Sequence, residues 1–490
     1  MEAGGSKSRL ERDYVYIKDR PSNKMPQHPT LASQPYSSTV SISTTEEWEK
    51  ELLEDPKNRL ALSALSSHDP KAVLSQRSAT IANTQIYNVK VELEGAPITN
   101  QRASGRCWLF AATNVFRVAI MKRYNLKEFE LSQAYLFYWD KLEKANYFLE
   151  QILETVDEDL EGRLIQRLLE GPVGDGGQWD MVANLVEKYG LVPHSLYPDS
   201  FNASSSGAMS GLVTTKLREF ALELRQLASR SSDVKQSLGA AKEKMMREIH
   251  LMLTVMLGPP PSPDKDITWE YHDKDEKFQS LTTTPLKFAG ELSSQASIKA
   301  NSGTNVHELF SLVNDPRNKY GQLLSVNRLG NVVGMRPVRY VNVDMTTMKT
   351  ACISMLRANI PIFFGCDVGK FSNRDSGVMD TDLIDYELGF NTRLGLSKAH
   401  RLMTHESAMT HAMVLTAVHV IDDKPVRWRV QNSWGEAPGS KGFFVMSDRW
   451  MDEFVYQAVV DPKFVGDEVK DVLKQEPKML PLWDPMGALA

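Results

Sequence analysis

Cys107 lies in a segment whose residue types suit a nucleophile. Ser104 and Gly105 precede it, and apolar residues at helical spacing follow from Leu109 onward, which predicts that the cysteine begins a helix. The free amide groups and the dipole at a helix N-terminus stabilise a thiolate. Gln101, six residues earlier, could direct its side-chain amide to the same point. With the backbone N–H of Cys107, that amide would form an oxyanion hole.

Two later segments carry residues that could activate such a thiol. His411 opens an apolar, partly β-branched run, which predicts the start of a buried strand. A second predicted strand, around Trp428, ends at Asn432, whose side chain can accept a hydrogen bond from His411 and fix its tautomer. Trp434, two residues further on, could shield that hydrogen bond from water. A cysteine, a histidine and an orienting amide are sufficient for acyl transfer.

Each element alone has a simpler interpretation. A lone buried histidine is more often structural, and Asn-Ser-Trp-Gly alone is typical of a turn. The order of the elements favours a catalytic site over these simpler interpretations. A cysteine at a helix start, then a histidine on a strand, then an asparagine is the chain order of papain-like peptidases. His405 competes with His411, but it does not open the apolar run. Cys352 and Cys366 lie among apolar residues and are predicted to be small buried hydrophobic residues.

The chain resembles the bleomycin hydrolase family, the cytosolic branch of the papain superfamily, over roughly residues 46–490. The final segment is especially specific to this branch. The matching segments are Gly105–Ala111, Leu131–Asp140, Asp175–Trp179, Met403–His405 with Thr410–Met413, Gln431–Gly435 and Trp483–Ala490.

The resemblance implies an α+β, papain-like two-lobed fold, with a helical lobe, an antiparallel β-rich lobe and a large helical insertion. The long separation of Cys107 and His411 in the sequence fits such an insertion. The predicted divisions are a flexible N-terminal arm at 1–45, a helical lobe with the catalytic cysteine at 46–200, a mainly helical insertion at 201–335, a β-rich lobe with the catalytic histidine and asparagine at 336–465, and a C-terminal arm reaching the active-site cleft at 466–490.

The resemblance also implies roles for particular residues. The expected catalytic residues are Cys107, His411, Asn432 and Gln101. The expected substrate-binding residues are Gly176, Gly177, Trp434, Ala488, Leu489 and Ala490. The glycine pair would line the unprimed side of the cleft, where absent side chains let a substrate backbone approach. The end of the C-terminal arm would fill the subsites beyond the first and place its carboxylate near a substrate's free amine.

These features favour a cysteine aminopeptidase with bleomycin-hydrolase-like amide hydrolysis. A papain-like endopeptidase is the alternative. A nucleic-acid-binding scaffold is less favoured, because it rests on the resemblance alone and the net charge of -5 provides no global basic field. The resemblance further implies a homohexamer acting on peptides or aminoacyl amides. No cofactor or metal is expected, since the chain has no Cys-x-x-Cys pair.

Composition indicates a cytoplasmic protein. The 490 residues are 42% hydrophobic and 24% charged, as in a globular protein with a sizeable core. The chain has only three cysteines, and this small, odd number argues against a disulfide framework. The absence of such a framework favours a reducing compartment. No apolar run is long enough to span a membrane, so no membrane partner is expected. A mitochondrial form is an open alternative, but the N-terminus does not support it because acidic residues interrupt its basic residues.

The pattern predicts several further elements. Thr44, with Glu47 at capping-box spacing, would cap a first helix over 46–53. Long helices would fill the stretch before the proline-rich breaker at 258–263. Strands are predicted at 340–343 and 360–364, with a helix over 345–356 between them.

Overall fold

The computed structural model describes residues 39–230 and 234–489, and the chain divides into two units between Ser67 and His68. Most of the predicted N-terminal arm, residues 1–38, lies outside the described residues. In the first unit two helices follow each other, α1 (Ile42–Glu54) and α2 (Pro56–Leu65). The prediction that Thr44 caps the first helix is wrong, because the Ser41 hydroxyl accepts the hydrogen bond from the Thr44 N–H.

The second unit holds the remaining described elements. Its helices are α3 (Pro70–Val73), α4 (Arg77–Ala82), α5 (Cys107–Arg123), α6 (Gln133–Glu154), α7 (Arg163–Glu170), α8 (Trp179–Tyr189), α9 (Phe201–Ser204), α10 (Gly207–Arg230), α11 (Val234–Leu257), α12 (Pro285–Gly290), α13 (Gln295–Ala300), α14 (Met345–Arg357), α15 (Tyr386–Phe390), α16 (Lys398–Met403), α17 (Asp448–Phe454) and α18 (Asp467–Val472).

Its strands alternate with short helices after residue 300. They are β1 (Val89–Lys90), β2 (Ile267–His272), β3 (Phe278–Thr283), β4 (Phe310–Val313), β5 (Gln322–Val326), β6 (Tyr340–Asn342), β7 (Ile362–Cys366), β8 (Ser372–Asn373), β9 (Val378–Met379), β10 (His411–Ile421), β11 (Lys424–Gln431), β12 (Phe443–Ser447), β13 (Val455–Val460) and β14 (Lys478–Leu480).

Most strands of the described chain join one sheet. Its order is β14-β5-β6-β4-β13-β7-β10-β11-β12-β9-β8, and β1 also pairs with β10. The pairs β7–β10, β10–β11 and β11–β12 are antiparallel. The hairpin β2–β3 stands apart from this sheet. The central strand β10 is almost wholly buried, as its apolar sequence predicts.

Helix α5 positions the predicted nucleophile because it is buried along nearly its whole length. Its residues from Cys107 to Met121 are buried, and the helix packs against α6, α8 and the strands β7 and β10. One apolar core gathers these helices and one face of the sheet. A second core lies between the sheet and helix α14. The helix that begins at Cys107 is therefore held between the helical part and the sheet.

Several predicted elements are confirmed with small shifts of their bounds. The helix before the proline-rich segment is the pair α10 and α11, and β6, α14 and β7 correspond to the elements predicted between 340 and 364. The region 201–335 is not purely helical, because β4 and β5 belong to the main sheet. Periodicity alone could not show this, since short apolar runs fit either type of element. The domain boundaries stay a prediction.

Candidate active site

Cys107 is the first residue of α5, as predicted, and it is only 2% exposed. Its thiol accepts hydrogen bonds from the backbone N–H groups of Ala412, Trp108 and Cys107 itself. The contact with Ala412 places the sulfur beside the residue that follows His411. Burial nevertheless raises the pKa of the thiol to about 11, because the loss of hydration outweighs these amides, and the negative charge of Asp175 acts in the same direction.

His411 is the first residue of β10, where it lies opposite Cys366 of β7. One ring nitrogen, Nε2, lies 2.8 Å from Asn432 Oδ1. The backbone N–H of Ser433 also donates to Asn432 Oδ1, at 2.8 Å, which identifies that atom as the amide oxygen. Nε2 therefore carries the proton, and Nδ1 is the basic nitrogen.

Trp434 stacks on the imidazole of His411, with ring centroids 4.8 Å apart and planes inclined by 29°. Arg374 lies over the Trp434 ring, at 5.3 Å from its centroid. These contacts fit the expectation that the tryptophan shields the histidine–asparagine hydrogen bond. Burial lowers the pKa of His411 to about 4, although the hydrogen bond to Asn432 acts to raise it.

Burial therefore disfavours the charged forms of both the thiol and the imidazole. A motif shows the helix N-terminus, which favours a thiolate, but it does not show the extent of burial, which opposes one. Transfer of the thiol proton to His411 Nδ1 would create an ion pair. The mutual attraction of its charges and the N-terminal amides of α5 would offset part of the cost of desolvation.

Gln101 is held in place by both of its amide atoms. Its Oε1 accepts a hydrogen bond from Ser433 Oγ at 2.8 Å, and its Nε2 donates to the Ser104 carbonyl at 2.7 Å. Its backbone N–H donates to the Ser433 carbonyl at 2.8 Å. One hydrogen of the side-chain amide is used by Ser104, which leaves the second for an oxyanion. The loop before Cys107 is therefore fastened to the segment that carries Asn432.

Gly177 lies against α5, the helix that begins at Cys107. A Cβ added to Gly177 would lie 2.5 Å from the indole ring of Trp108, so only glycine fits at this position. The indole Nε1 of Trp108 donates to the Asp175 carbonyl at 2.7 Å. The structure thus brings the glycine pair next to the residue that follows Cys107.

The C-terminal segment is docked as far as it is described. Asp484 forms an ion pair with Arg317 at 2.7 Å, and Met486 is buried. The carbonyl of Ala488 accepts a hydrogen bond from Gln178 Nε2 at 2.7 Å. Leu489 is partly buried against the helical core, whereas Ala490 lies outside the described residues. The segment therefore reaches the residue that follows the glycine pair.

The other chemically capable residues lie elsewhere. His405 is exposed, with a positive φ of 57°, and makes no part of this arrangement. Cys352 and Cys366 are buried, and burial raises the pKa of the Cys352 thiol to about 12 and that of Cys366 well above its ordinary value. Within residues 39–230 and 234–489, no group of three or more His, Cys, Asp or Glu side chains could hold a metal ion.

Several supporting residues were not foreseen. The residue before the nucleophile, Arg106, is fully buried and binds Asp199 through two hydrogen bonds of 2.8 and 2.7 Å. Lys141 and Lys144 of α6 are also buried. Their signal is visible in retrospect, because charged residues at this spacing interrupt an otherwise apolar and aromatic helix. Such charges are more often solvated, so the pattern alone did not select them.

Comparison with known proteins agrees with this geometry. The model of the peptidase C1-like family matches residues 39–487. The chain belongs to this family. "Cysteine proteinase 1, mitochondrial" of Saccharomyces cerevisiae is 42% identical over 471 residues, which cover 94% of this chain and 95% of the relative. Human "Bleomycin hydrolase" is 42% identical over 450 residues, which cover 90% of this chain and 96% of the relative.

A solved structure matches over the same length. The crystal structure of PepW from Lactobacillus rhamnosis has a TM-score of 0.87 and 40% sequence identity, and the match covers 93% of this chain and 100% of that one. The predicted papain-like α+β fold and the resemblance to bleomycin hydrolases are therefore confirmed. The protein is a cysteine peptidase. No helix among its described residues combines the length and apolar character that crossing a membrane requires.

Proposed function

We propose that this peptidase is an aminopeptidase with bleomycin-hydrolase-like amide hydrolysis, in which Cys107 is the nucleophile and His411 the general base and acid. Asn432 orients the imidazole, and Gln101 donates to the oxyanion. The observation that carries the proposal is that the Cys107 thiol contacts the Ala412 amide while His411 is held by Asn432.

The acylation step follows from these contacts. His411 Nδ1 takes the proton of the Cys107 thiol as the sulfur attacks the substrate carbonyl carbon. The C–S bond forms, and the carbonyl oxygen becomes an oxyanion that accepts hydrogen bonds from the Cys107 N–H and the Gln101 side chain. His411 then gives its proton to the leaving amine as the C–N bond breaks, which leaves a thioester on Cys107.

Deacylation uses the same groups in reverse order. His411 takes a proton from water, whose oxygen attacks the thioester carbonyl carbon, and the oxyanion forms again beside Gln101. The C–S bond breaks and the thiol regains its proton from His411. Trp434 keeps bulk water from the hydrogen bond between His411 and Asn432, so the imidazole keeps one tautomer through both steps.

Cleavage at the N-terminal residue would depend on the C-terminal arm. The hydrogen bond between Gln178 and the Ala488 carbonyl supports a position for the arm's end beside Gly176 and Gly177. There, Ala488, Leu489 and Ala490 would occupy the subsites beyond the first. A peptide that ends at a free amine would fit beside the arm, whereas a longer chain would have to displace it.

Deletion of the last four residues tests this role of the arm. The truncated protein should cleave aminoacyl-naphthylamides more slowly and N-acetylated peptides faster than the full chain. A Cys107→Ala variant should be inactive on both substrates. An unchanged ratio of free-amine to acetylated cleavage would contradict the aminopeptidase assignment and favour an endopeptidase.

A brief iodoacetamide pulse, followed by mass spectrometry, tests the nucleophile. Cys107 should be labelled first and activity lost in parallel, because it carries hydrogen-bonding amides and the lowest thiol pKa of the three cysteines. Preferential labelling of Cys352 or Cys366 would contradict the assignment.

The proposal includes assembly as a homohexamer in the cytoplasm. Exposed apolar side chains on the packed helices α9 and α11 support contact with further copies of the chain, namely Phe201, Leu251 and Val255. Three unpaired thiols support a reducing compartment. Light scattering at micromolar concentration tests the assembly, and a species of 55.2 kDa, the mass of one chain, would refute it.

A further inference from the structure

Asp175, which directly precedes the glycine pair, contacts the nucleophile's segment on both sides of Cys107. Its Oδ2 accepts the backbone N–H of Gly105 at 2.9 Å. Its carbonyl accepts the indole N–H of Trp108 at 2.7 Å. Asp175 therefore holds the backbone of Gly105, two positions before Cys107, and the side chain of Trp108, one position after it. The approach is close, since a Cβ on Gly105 would lie 2.8 Å from the Cβ of Asp175.

The carboxylate of Asp175 is paired with a buried lysine. Lys141 of α6, whose side chain is 1% exposed, donates to Asp175 Oδ1 at 2.6 Å and also to the Val173 carbonyl. The hydroxyls of Ser206 and Ser210 donate to the same carboxylate. Burial acts to raise the pKa of Asp175, but Lys141 and these hydrogen bonds hold it well below its usual range.

A second lysine holds the backbone of the same loop. Lys144, one turn further along α6, donates to the carbonyls of Gly174 at 2.9 Å and Gly176 at 2.6 Å. It also forms an ion pair with Asp140 at 2.7 Å and lies over the Trp108 ring. The charges of Lys144 and Asp140 balance each other.

Two ion pairs lie on the helical side of the thiol, whereas Asp367, which follows β7, accepts hydrogen bonds from the hydroxyls of Ser407 and Thr410. Lys141 balances Asp175, and the guanidinium of Arg106 balances Asp199. Burial lowers the pKa of His411 to about 4, which disfavours its charged form. The charge of Asp175 disfavours the Cys107 thiolate, and Cys366 of β7 and Cys107 also disfavour each other's ionisation. Removing either partner of the Lys141–Asp175 pair would leave one unbalanced charge close to the nucleophile.

We propose that Asp175 and Lys141 are positioning residues for this hydrolysis, which hold the Gly176–Gly177 loop against the start of α5 and keep the electric field at Cys107 balanced. The inference rests on the proposed role of Cys107 as the nucleophile. It differs from a purely structural role for the ion pair, because the two residues carry opposite charges and their removal should act on the thiol in opposite directions.

The test measures the pH midpoint of Cys107 alkylation by iodoacetamide, together with kcat/KM on an aminoacyl-naphthylamide. Lys141→Met should raise the midpoint by about 0.5 pH unit or more, because the unbalanced carboxylate of Asp175 disfavours the thiolate. Asp175→Asn should lower it by a similar amount, since the amide keeps an acceptor for Gly105 but leaves Lys141 unbalanced. Both variants should lose kcat/KM by about 10- to 100-fold through misplacement of the loop.

The double variant, with both substitutions, separates charge from position. It buries no unpaired charge, so it should fold, return the midpoint to within ~0.3 pH unit of the parent protein, and still lose kcat/KM. Lys349→Met is the matched control, because Lys349 forms a partly buried pair with Asp448 at 2.7 Å beside the sheet. Its midpoint should equal that of the parent.

Shifts of the two single variants in the same direction, or no shift in either, would overturn the proposal. If a single variant does not fold, the double variant decides: parental kcat/KM refutes the positioning role, and a loss of about tenfold or more supports it. Failure of the proposed nucleophile has a different signature. In that case the Cys107→Ala variant keeps its activity, whatever the alkylation midpoints show.

Discussion

The hydrogen bond from Gln178 to Ala488 gives a direct way to loosen the end of the C-terminal arm. Gln178 is fully buried, and its Nε2 donates to the Ala488 carbonyl at 2.7 Å. Its side chain makes no capping hydrogen bond to α8, which begins at the next residue. Gln178→Met keeps a side chain of similar length without the donor, so it should leave the helix start intact while weakening the hold on the arm.

The expected magnitude follows from one hydrogen bond. A typical intramolecular hydrogen bond contributes about 0.5–1.5 kcal/mol, so its loss should raise the displaced fraction of the arm's end by about 2- to 13-fold. The rest of the arm should stay docked, because Met486 is buried and Asp484 remains paired with Arg317. The variant should therefore change selectivity less than deletion of the last four residues does.

The assay compares kcat/KM on an aminoacyl-naphthylamide with kcat/KM on an N-acetylated peptide that has the same residue before the cleaved bond. The ratio should fall by about 2- to 13-fold in Gln178→Met. Gln151→Met is the matched control, since Gln151 of α6 is also buried and donates to a backbone carbonyl, that of Arg328, at 3.1 Å. The role given to this hydrogen bond would be refuted if deletion of the last four residues changes the ratio but Gln178→Met leaves it equal to that of the parent protein.

Four further variants test the site and the stability of the protein. His411→Ala should cost more kcat/KM than Asn432→Ala, because the first removes the proton carrier and the second only its orienting partner; equal losses in folded proteins would contradict this order. Gln101→Ala should lower kcat with little change in KM. The loss of kcat should correspond to a rise in activation free energy of about 2.7–4 kcal/mol if Gln101 is a full oxyanion donor. A pure rise in KM would instead make Gln101 a substrate-binding residue. Burial raises the pKa of Asp180 to about 6, so the stabilising contribution of its proton is present below pH 3.8 and is lost as the pH rises through 6. Asp180→Asn, which keeps an acceptor for the Arg339 N–H, should therefore raise the free energy of unfolding at pH 8 by up to about 3 kcal/mol in urea titrations. The prediction is disproved if the free energy of unfolding changes between pH 4 and pH 8 by the same amount in the variant and in the parent protein.

The elements that carry Cys107, His411 and Asn432 could be predicted from the sequence because their signals are local. Helix α5 begins at Cys107, β10 begins at His411, and β11 ends one residue before Asn432, as the apolar patterns indicated. The predicted helix cap was wrong because both Ser41 and Thr44 are good capping residues. In the structure Ser41, three positions before Thr44, caps the helix.

What the sequence did not reveal depends on distant parts of the chain. Lys141 and Asp175 lie 34 positions apart, and each looks like a solvated charge until the fold buries the pair. The pairing of β14 with β5, which brings the C-terminal segment to the main sheet, is also a long-range contact. The high pKa of Cys107 has the same origin, because burial is a property of the packed structure rather than of the motif around the cysteine.

The proposed exclusion of longer peptides follows from the arm being part of the same chain. Under this proposal, a peptide that extends past Gly176 and Gly177 would have to displace the arm's end, which is tethered because Asp484 is paired with Arg317 and Met486 is buried. A segment on a short tether acts at an effective concentration of the order of millimolar, so a peptide making equal contacts at about 10 µM faces roughly a 100-fold disadvantage. A substrate that ends at its free amine has nothing to displace. The arm therefore needs no strong contact at its end, and changes there should alter selectivity more than they alter the rate of the chemical step.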